Sequence, residues 1–297
     1  MTQCAKTERP FGWDSLRNPK TALLAEGGGQ LAVYGVGALQ AIYDAGLTFP
    51  YYIGVSAGAA NLASHLAGHR DRTARFYLEY AMRPAYMGMG HWLRSGSYLN
   101  LPYIYDTITN GEDPICYAML NACPDEIRVV LTDAATGQAY YADNGAFRGQ
   151  RCDVLMASCC LPIFCRPVAW NGRLWFDGGV ADSLPVEQAL VEGCERVVAI
   201  LCRPKGYQKI PERGGRWIGT LLRRYPETAR VLLRRHETYM ASLRRLEQLE
   251  REGRAVLIRP VAALPMSTFT RRPAALLEQV LRQGYEDAAR AMGTPKE

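Results

Sequence analysis

Over the first seventy residues, short apolar runs that stop at glycines alternate with longer stretches of helical period. Thr21-Ala22-Leu23-Leu24-Ala25 ends at Glu26-Gly27-Gly28-Gly29, which predicts a strand meeting a glycine loop. Val33, Val36, Leu39 and Ile42–Tyr43 then recur at helical spacing, with Gln40 and Asp44 on the other face and Gly46 placed as a stop. Gly35, Gly37 and Ala38 fall inside this helix, and a close helix–sheet contact would account for them. A second apolar run, Tyr51–Val55, leads into Ser56 and a helix over Ala57–Ala67. Strand–helix–strand–helix in this order predicts a parallel sheet covered by helices.

Farther on, strands are predicted at Arg128–Leu131, Ala139–Tyr141, Leu174–Phe176 and Arg196–Leu201. The last is continuously apolar, as a strand buried on both faces should be. Arg83–Tyr105, rich in Met, Gly, Trp and Tyr without a clear period, reads as a loop-rich excursion, either a lid or packing beneath a long loop. Beyond Pro204 the character changes. Lys205–Gly215 reads as a linker and Pro226–Glu252 as a long helix with Ala229, Leu232–Leu233, His236, Met240, Leu243 and Leu246 in one stripe. Glu247–Arg251 and Glu250–Arg254 are spaced to support that helix as ion pairs. Ala255–Ile258 is a candidate short strand and Pro273–Met292 a final amphipathic helix.

With 48% apolar and 22% charged residues in 297, the chain suits one large α/β domain with an appendage. The boundaries expected are 21–203 for the main domain and 204–297 for a helical extension packed on it. The net charge of +6 is regional: Arg203–Arg254 holds 14 basic and 6 acidic residues, a local +8. This stretch is either a solvated helix face or a peripheral contact with anionic lipid headgroups, and with no recognisable motif beside it nucleic acid is not expected. Met1–Pro19 reads as a loose lead-in, Met1–Lys20 holds no apolar core of a secretory signal, and no window of 18 apolar residues occurs. Nine cysteines without a C-x-x-C pair suit reduced thiols and no metal. The expected location is cytoplasmic or peripheral at the membrane.

Three pieces carry chemistry. Gly54-Val55-Ser56-Ala57-Gly58 fits G-x-S-x-G, the tight strand-to-helix turn that lifts a serine hydroxyl to a helix N-terminus. Gly27-Gly28-Gly29 lies after a strand and before a helix, where exposed N–H groups suit an oxyanion. Asp177, followed by Gly178 and Gly179, closes a strand ending in Trp175-Phe176, at the sheet end where such folds build their sites. The only histidine after Asp177 is His236, on the apolar stripe of the long helix. The pattern therefore points to Ser56 activated by Asp177 without an imidazole.

In this order the three motifs resemble the patatin-like phospholipase family, from about Thr21 to Arg203. Ala157-Ser158 through Pro162 and Pro167-Val168 are similar to the family's approach to the acid, and Arg235-His236-Glu237-Thr238-Tyr239 resembles the tail of a bacterial stand-alone subgroup. The resemblance implies a three-layer α/β/α fold with a mostly parallel central sheet. It also implies a Ser56–Asp177 dyad that hydrolyses lipid acyl esters, with Gly28 and Gly29 as oxyanion donors, Gly27 shaping the loop, and no cofactor. The family's loop usually reads Gly-Gly-Gly-x-Arg-Gly, whereas here Leu31 stands at the Arg position and Ala32 at the last Gly. This departure leaves room for a non-catalytic lipid-binding protein with an impaired loop. A dinucleotide module is the other rival, since Gly27-x-Gly29-x-x-Ala32 fits that fingerprint, but the acid expected about 20 residues on is missing.

Overall fold

The computed structural model describes Trp13, residues 15–269 and residues 272–293. Most of the expected lead-in and Cys4 lie outside these. Of what is described there, Trp13 and Leu16 are buried in the core and the Thr21 N–H donates to the Leu16 carbonyl at 2.9 Å.

Strands β1 (Thr21–Ala25), β2 (Tyr51–Val55), β3 (Glu126–Asp133), β4 (Ala139–Ala142), β5 (Val168–Trp170), β6 (Arg173–Asp177), β7 (Arg196–Ile200) and β8 (Ala255–Ile258) form one sheet. Its order is β5-β6-β3-β2-β1-β7-β8, with β4 paired to β3. The pairs β1–β2, β1–β7, β2–β3 and β7–β8 are parallel, while β4 and β6 run antiparallel to β3. The helices are α1 (Val33–Asp44), α2 (Ala57–Leu66), α3 (Arg72–Leu78), α4 (Met89–Ser95), α5 (Tyr117–Ala122), α6 (Asp153–Ser158), α7 (Val186–Val191), α8 (Gly215–Leu221), α9 (Pro226–Arg251) and α10 (Ala274–Met292).

Alternation along β1 divides the core. Leu23 and Ala25 face a cluster built with α1, α2 and α10, whereas Ala22 and Leu24 face one built with α7 and most of α9. Both faces of the central strands are buried, so the fold is a three-layer α/β/α sandwich with a mostly parallel sheet and a helical C-terminal region.

The glycines of α1 have a different cause from the one expected. A Cβ on Gly37 would fall on the carbonyl oxygen of Leu281, and one on Gly284 on that of Tyr34. The contact is helix on helix, α1 against α10; only Gly35 faces the sheet, at Ile200. The expected ion pairs along α9 also differ. Glu247 and Glu250 both hold Arg259, at 2.9 and 3.2 Å, while Arg254 lies beyond the helix end at Arg251 and pairs with Glu252. Residues 205–214 of the expected linker hold no helix or strand and α8 follows from Gly215, while the 83–105 excursion contains α4 and a tightly packed run in which Tyr86, Leu99, Leu101, Tyr103 and Tyr105 are buried.

Candidate active site

Strand β3 brings the separate motifs together. Val55 pairs with Val130 across the parallel side, and Asp177 pairs with Leu131 across the antiparallel side. Ser56, one residue past β2, and Asp177, the last residue of β6, therefore flank consecutive positions of one strand. Ser56 sits at φ 53° and ψ −129°, backbone that a side-chain-bearing residue rarely holds. Close packing keeps it there. A Cβ on Gly58 would fall on the carbonyl oxygen of Ala25, and one on Gly54 would lie 2.6 Å from the Cα of Ala59. The buried Ser158 hydroxyl accepts from the Ser56 N–H at 2.9 Å and donates to the Val130 carbonyl at 2.7 Å, tying the turn to β3.

Asp177 is 2% exposed. Its Oδ1 accepts from the Gly179 N–H at 2.7 Å, its N–H donates to the Cys160 carbonyl at 2.8 Å, and its carbonyl accepts from the Thr132 hydroxyl at 2.8 Å. Burial pushes its carboxyl up to about 6, against hydrogen bonds from Ser56 and Gly179 and the charge of Arg235, which all favour the carboxylate. The Ser56 hydroxyl lies near enough to the Asp177 carboxyl to favour its ionised form.

In the glycine loop, Gly28 and Gly29 adopt φ of 149° and 56°. The N–H groups of Gly27, Gly28 and Gly29 donate to no group among the described residues. Ala32 sits at φ −69°, so nothing at that position calls for glycine. Leu31 is buried in the core. The loop is held from the other side instead: the Gln30 N–H donates to the Thr268 carbonyl at 3.1 Å, and the Tyr77 hydroxyl donates to the Gly29 carbonyl at 3.3 Å.

Two cavities meet at Gly29, Ser56, Leu161 and Thr268. One, of about 80 Å³, is walled by apolar and aromatic side chains including Phe76, Tyr86, Leu99, Leu101, Ile104 and Phe269. The other, of about 110 Å³, is polar and is lined by the glycine loop, Glu26, Asp177, Arg203, Lys209 and Arg235. No histidine lines either among the described residues. His65 is packed near the Tyr43 and Tyr52 rings and pushed down to about 4 by burial, His69 Nε2 accepts from the Cys116 N–H at 3.0 Å, and His236 Nδ1 lies 3.2 Å from the Leu233 carbonyl.

Sequence reasoning missed the bracing role of Ser158, the Thr268 contact and the cations of the polar cavity. The first lay within a segment already singled out. The other two depend on contacts across more than a hundred residues, which no local pattern carries. Among the described residues no helix is long and apolar enough to cross a membrane.

The sequence profile described as patatin-like phospholipase matches residues 23–190, and one described as "Domain of unknown function (DUF6363)" matches 225–297. The chain is 27% identical over 207 residues to the uncharacterized protein YjjU of Escherichia coli, covering 67% of this chain and 57% of that one. It is 25% identical over 196 residues to an uncharacterized NTE family protein of Mycobacterium bovis, Mb1092c, covering 66% of this chain and 52% of that one. The chain therefore spans about half the length of the curated relatives it matches. Among solved structures, VipD from Legionella pneumophila aligns with a TM-score of 0.48 at 14% identity, covering 93% of this chain and 67% of that one. With the profile spanning more than half of its length, the chain belongs to the patatin-like phospholipase family.

Proposed function

We propose that the protein is a serine acyl-ester hydrolase acting on a lipid or smaller acyl ester through Ser56 and Asp177. Ser56 Oγ attacks the ester carbonyl carbon and its proton passes to the Asp177 carboxylate. The oxyanion that forms is met by the N–H groups of Gly28 and Gly29, beside the positive end of α2. Collapse breaks the bond to the alcohol, which leaves with the proton from Asp177. Water then attacks the acyl-serine and gives its proton to Asp177; the C–Oγ bond breaks, Oγ recovers the proton and the free acid departs. Losing one oxyanion donor typically costs about 2.7–4 kcal/mol of barrier.

The observation that carries this reading is the convergence, at one serine of strained backbone, of a buried carboxyl pushed up to about 6 and of uncommitted glycine N–H groups at an apolar cleft. On this reading residues 21–203 form the hydrolase domain and 204–297 pack on it, with membrane contact peripheral through the Arg-rich 203–254 stretch. Leu31 does not silence the loop, because Thr268 and Tyr77 hold it. The test is hydrolysis of a p-nitrophenyl butyrate panel by the wild type beside Ser56→Ala and Asp177→Asn. Turnover lost in both variants supports the reading. Equal background rates in all three folded proteins would instead favour a lipid-binding protein without turnover.

A further inference from the structure

Three basic side chains face Ser56 from outside the matched phospholipase region, which ends at residue 190. Arg203 and Lys209 lie on the strap that follows β7, and Arg235 projects from α9. The strap is fastened to α9 near these cations. The Lys209 N–H donates to Met240 Sδ at 3.4 Å, and the Tyr207 and Tyr239 rings meet edge to face at 5.9 Å. Arg203 lies over the Tyr207 ring at 5.0 Å and Lys209 Nζ over the Tyr239 ring at 5.1 Å. Neither is in an ion pair among the described residues. Arg235 is ion-paired, its Nε 2.7 Å from Glu212 Oε1, though this nitrogen makes no aligned hydrogen bond.

The carboxyls facing these cations are Glu26 and Asp177, with Glu212 beside Arg235. Glu26 is already committed, accepting from the Cys202 N–H at 2.6 Å and the Tyr239 hydroxyl at 3.0 Å, and burial pushes it up, as it does Asp177. Lys209 is pushed down to about 8 by burial and by the nearby Arg235 and Arg203 charges, only partly offset by Glu212 and Glu26. The polar cavity therefore holds two cations, Arg203 and Lys209, that no ion pair engages among the described residues, beside an Arg235 that Glu212 pairs. A bound phosphate would give these two cations the anionic partner they lack, and the rings stacked beneath them aim them without neutralising them.

We propose that Arg203, Lys209 and Arg235 form a subsite for a phosphate monoester on the alcohol half of the ester, opposite an acyl chain in the apolar cavity. This rests on the hydrolase reading for its role in turnover, but the phosphate site is testable without it. Both cavities open at Ser56, so an ester held there would have its acyl chain on the apolar side and its alcohol on the basic side. A dianionic phosphate suits the two unpaired cations with Arg235 beside them; a choline-bearing diester would bring a cation of its own among them.

Turnover is compared on 1-oleoyl-glycerol 3-phosphate, 1-oleoyl-glycerol and 1-oleoyl-glycerophosphocholine, and on 1-butyryl-glycerol 3-phosphate against monobutyrin. The oleoyl set tests a lipid source of the phosphate and the butyryl pair a water-soluble one. The wild type should prefer the monoester by about tenfold or more in kcat/KM, and Lys209→Met or Arg203→Gln should erase most of that ratio, the scale of a hydrogen bond to a charged group. Separately, sn-glycerol 3-phosphate should raise the melting temperature of Ser56→Ala protein but not of Ser56→Ala/Lys209→Met. Ser56-dependent turnover with no monoester preference and no melting shift would overturn the subsite and leave the hydrolase standing. A melting shift that requires Lys209, without turnover of any ester, would sustain the subsite and sink the hydrolase reading. Neither turnover nor shift would sink both.

Discussion

The hydroxyl of Ser158 holds the backbone N–H of Ser56 at 2.9 Å, from a helix a hundred residues downstream of the elbow. The same hydroxyl donates to the Val130 carbonyl, so one buried group fixes the strained turn to the strand that also pairs with Asp177. Ser158→Ala leaves a buried donor and a buried acceptor orphaned, each costing about 1–3 kcal/mol. It should lower the urea midpoint, and it should lower kcat more than KM because the elbow loses its brace. Unchanged stability together with unchanged kcat would show that the turn holds itself.

Burial of Asp177 makes two pH statements. As the base it must be ionised, so kcat/KM should hold above about pH 6 and fall on the acid side with an apparent pKa near 6. A pH–rate profile checks this. An acid limb near pH 4 would mean that the carboxyl is solvated during turnover.

The stability consequence runs the other way. Asp177 is raised from 3.8 to about 6, so between those values the folded chain binds more protons than the unfolded one. The group's contribution is most favourable below about pH 4 and is lost as pH rises through 6, for a total of about 3 kcal/mol. Asp177→Asn should therefore abolish turnover while stabilising the fold by up to that amount near pH 7.5, with the gain fading toward pH 4. Urea unfolding at both pH values reads it; a variant less stable than wild type near pH 7.5 would contradict the burial argument.

Gly37→Ala should cost about 1–3 kcal/mol or more, because the new methyl falls on the Leu281 carbonyl and drives α1 from α10. Gly35→Ala, whose Cβ would meet Ile200 Cγ2 at 3.4 Å, is the control and should cost far less. Equal effects of the two on the melting temperature would mean that helix propensity decides, not contact.

The strands β1, β2, β7 and β8 were legible because each is a continuous apolar run bounded by charge, Gly or Pro and buried on both faces. The three-residue β5 sits at the sheet edge, too short to show a period, and α3 was hidden by Arg72, a cation that the fold buries by giving its Nε to the Asp113 carbonyl at 2.8 Å and Nη1 to the Ser64 hydroxyl at 3.0 Å. Ser56, Asp177 and the three loop glycines could be named as candidates because each chemistry sits in a motif a few residues long. The basic subsite could not: in sequence, Arg203, Lys209 and Arg235 are three among fourteen cations of one charged stretch, and only the folding of the strap onto α9 turns these toward Ser56. The replacement of the usual loop arginine was visible, but Thr268, which holds the loop instead, acts through its backbone carbonyl and leaves no side-chain signature.

The central claim is that Ser56 is a nucleophile, and intact-mass analysis after treatment with a fluorophosphonate tests it most directly. One adduct per chain, mapped to Ser56, absent in folded Ser56→Ala and slowed in Asp177→Asn, is the expected result. No adduct at Ser56 in folded wild-type protein, or ester hydrolysis undiminished in Ser56→Ala, would contradict it.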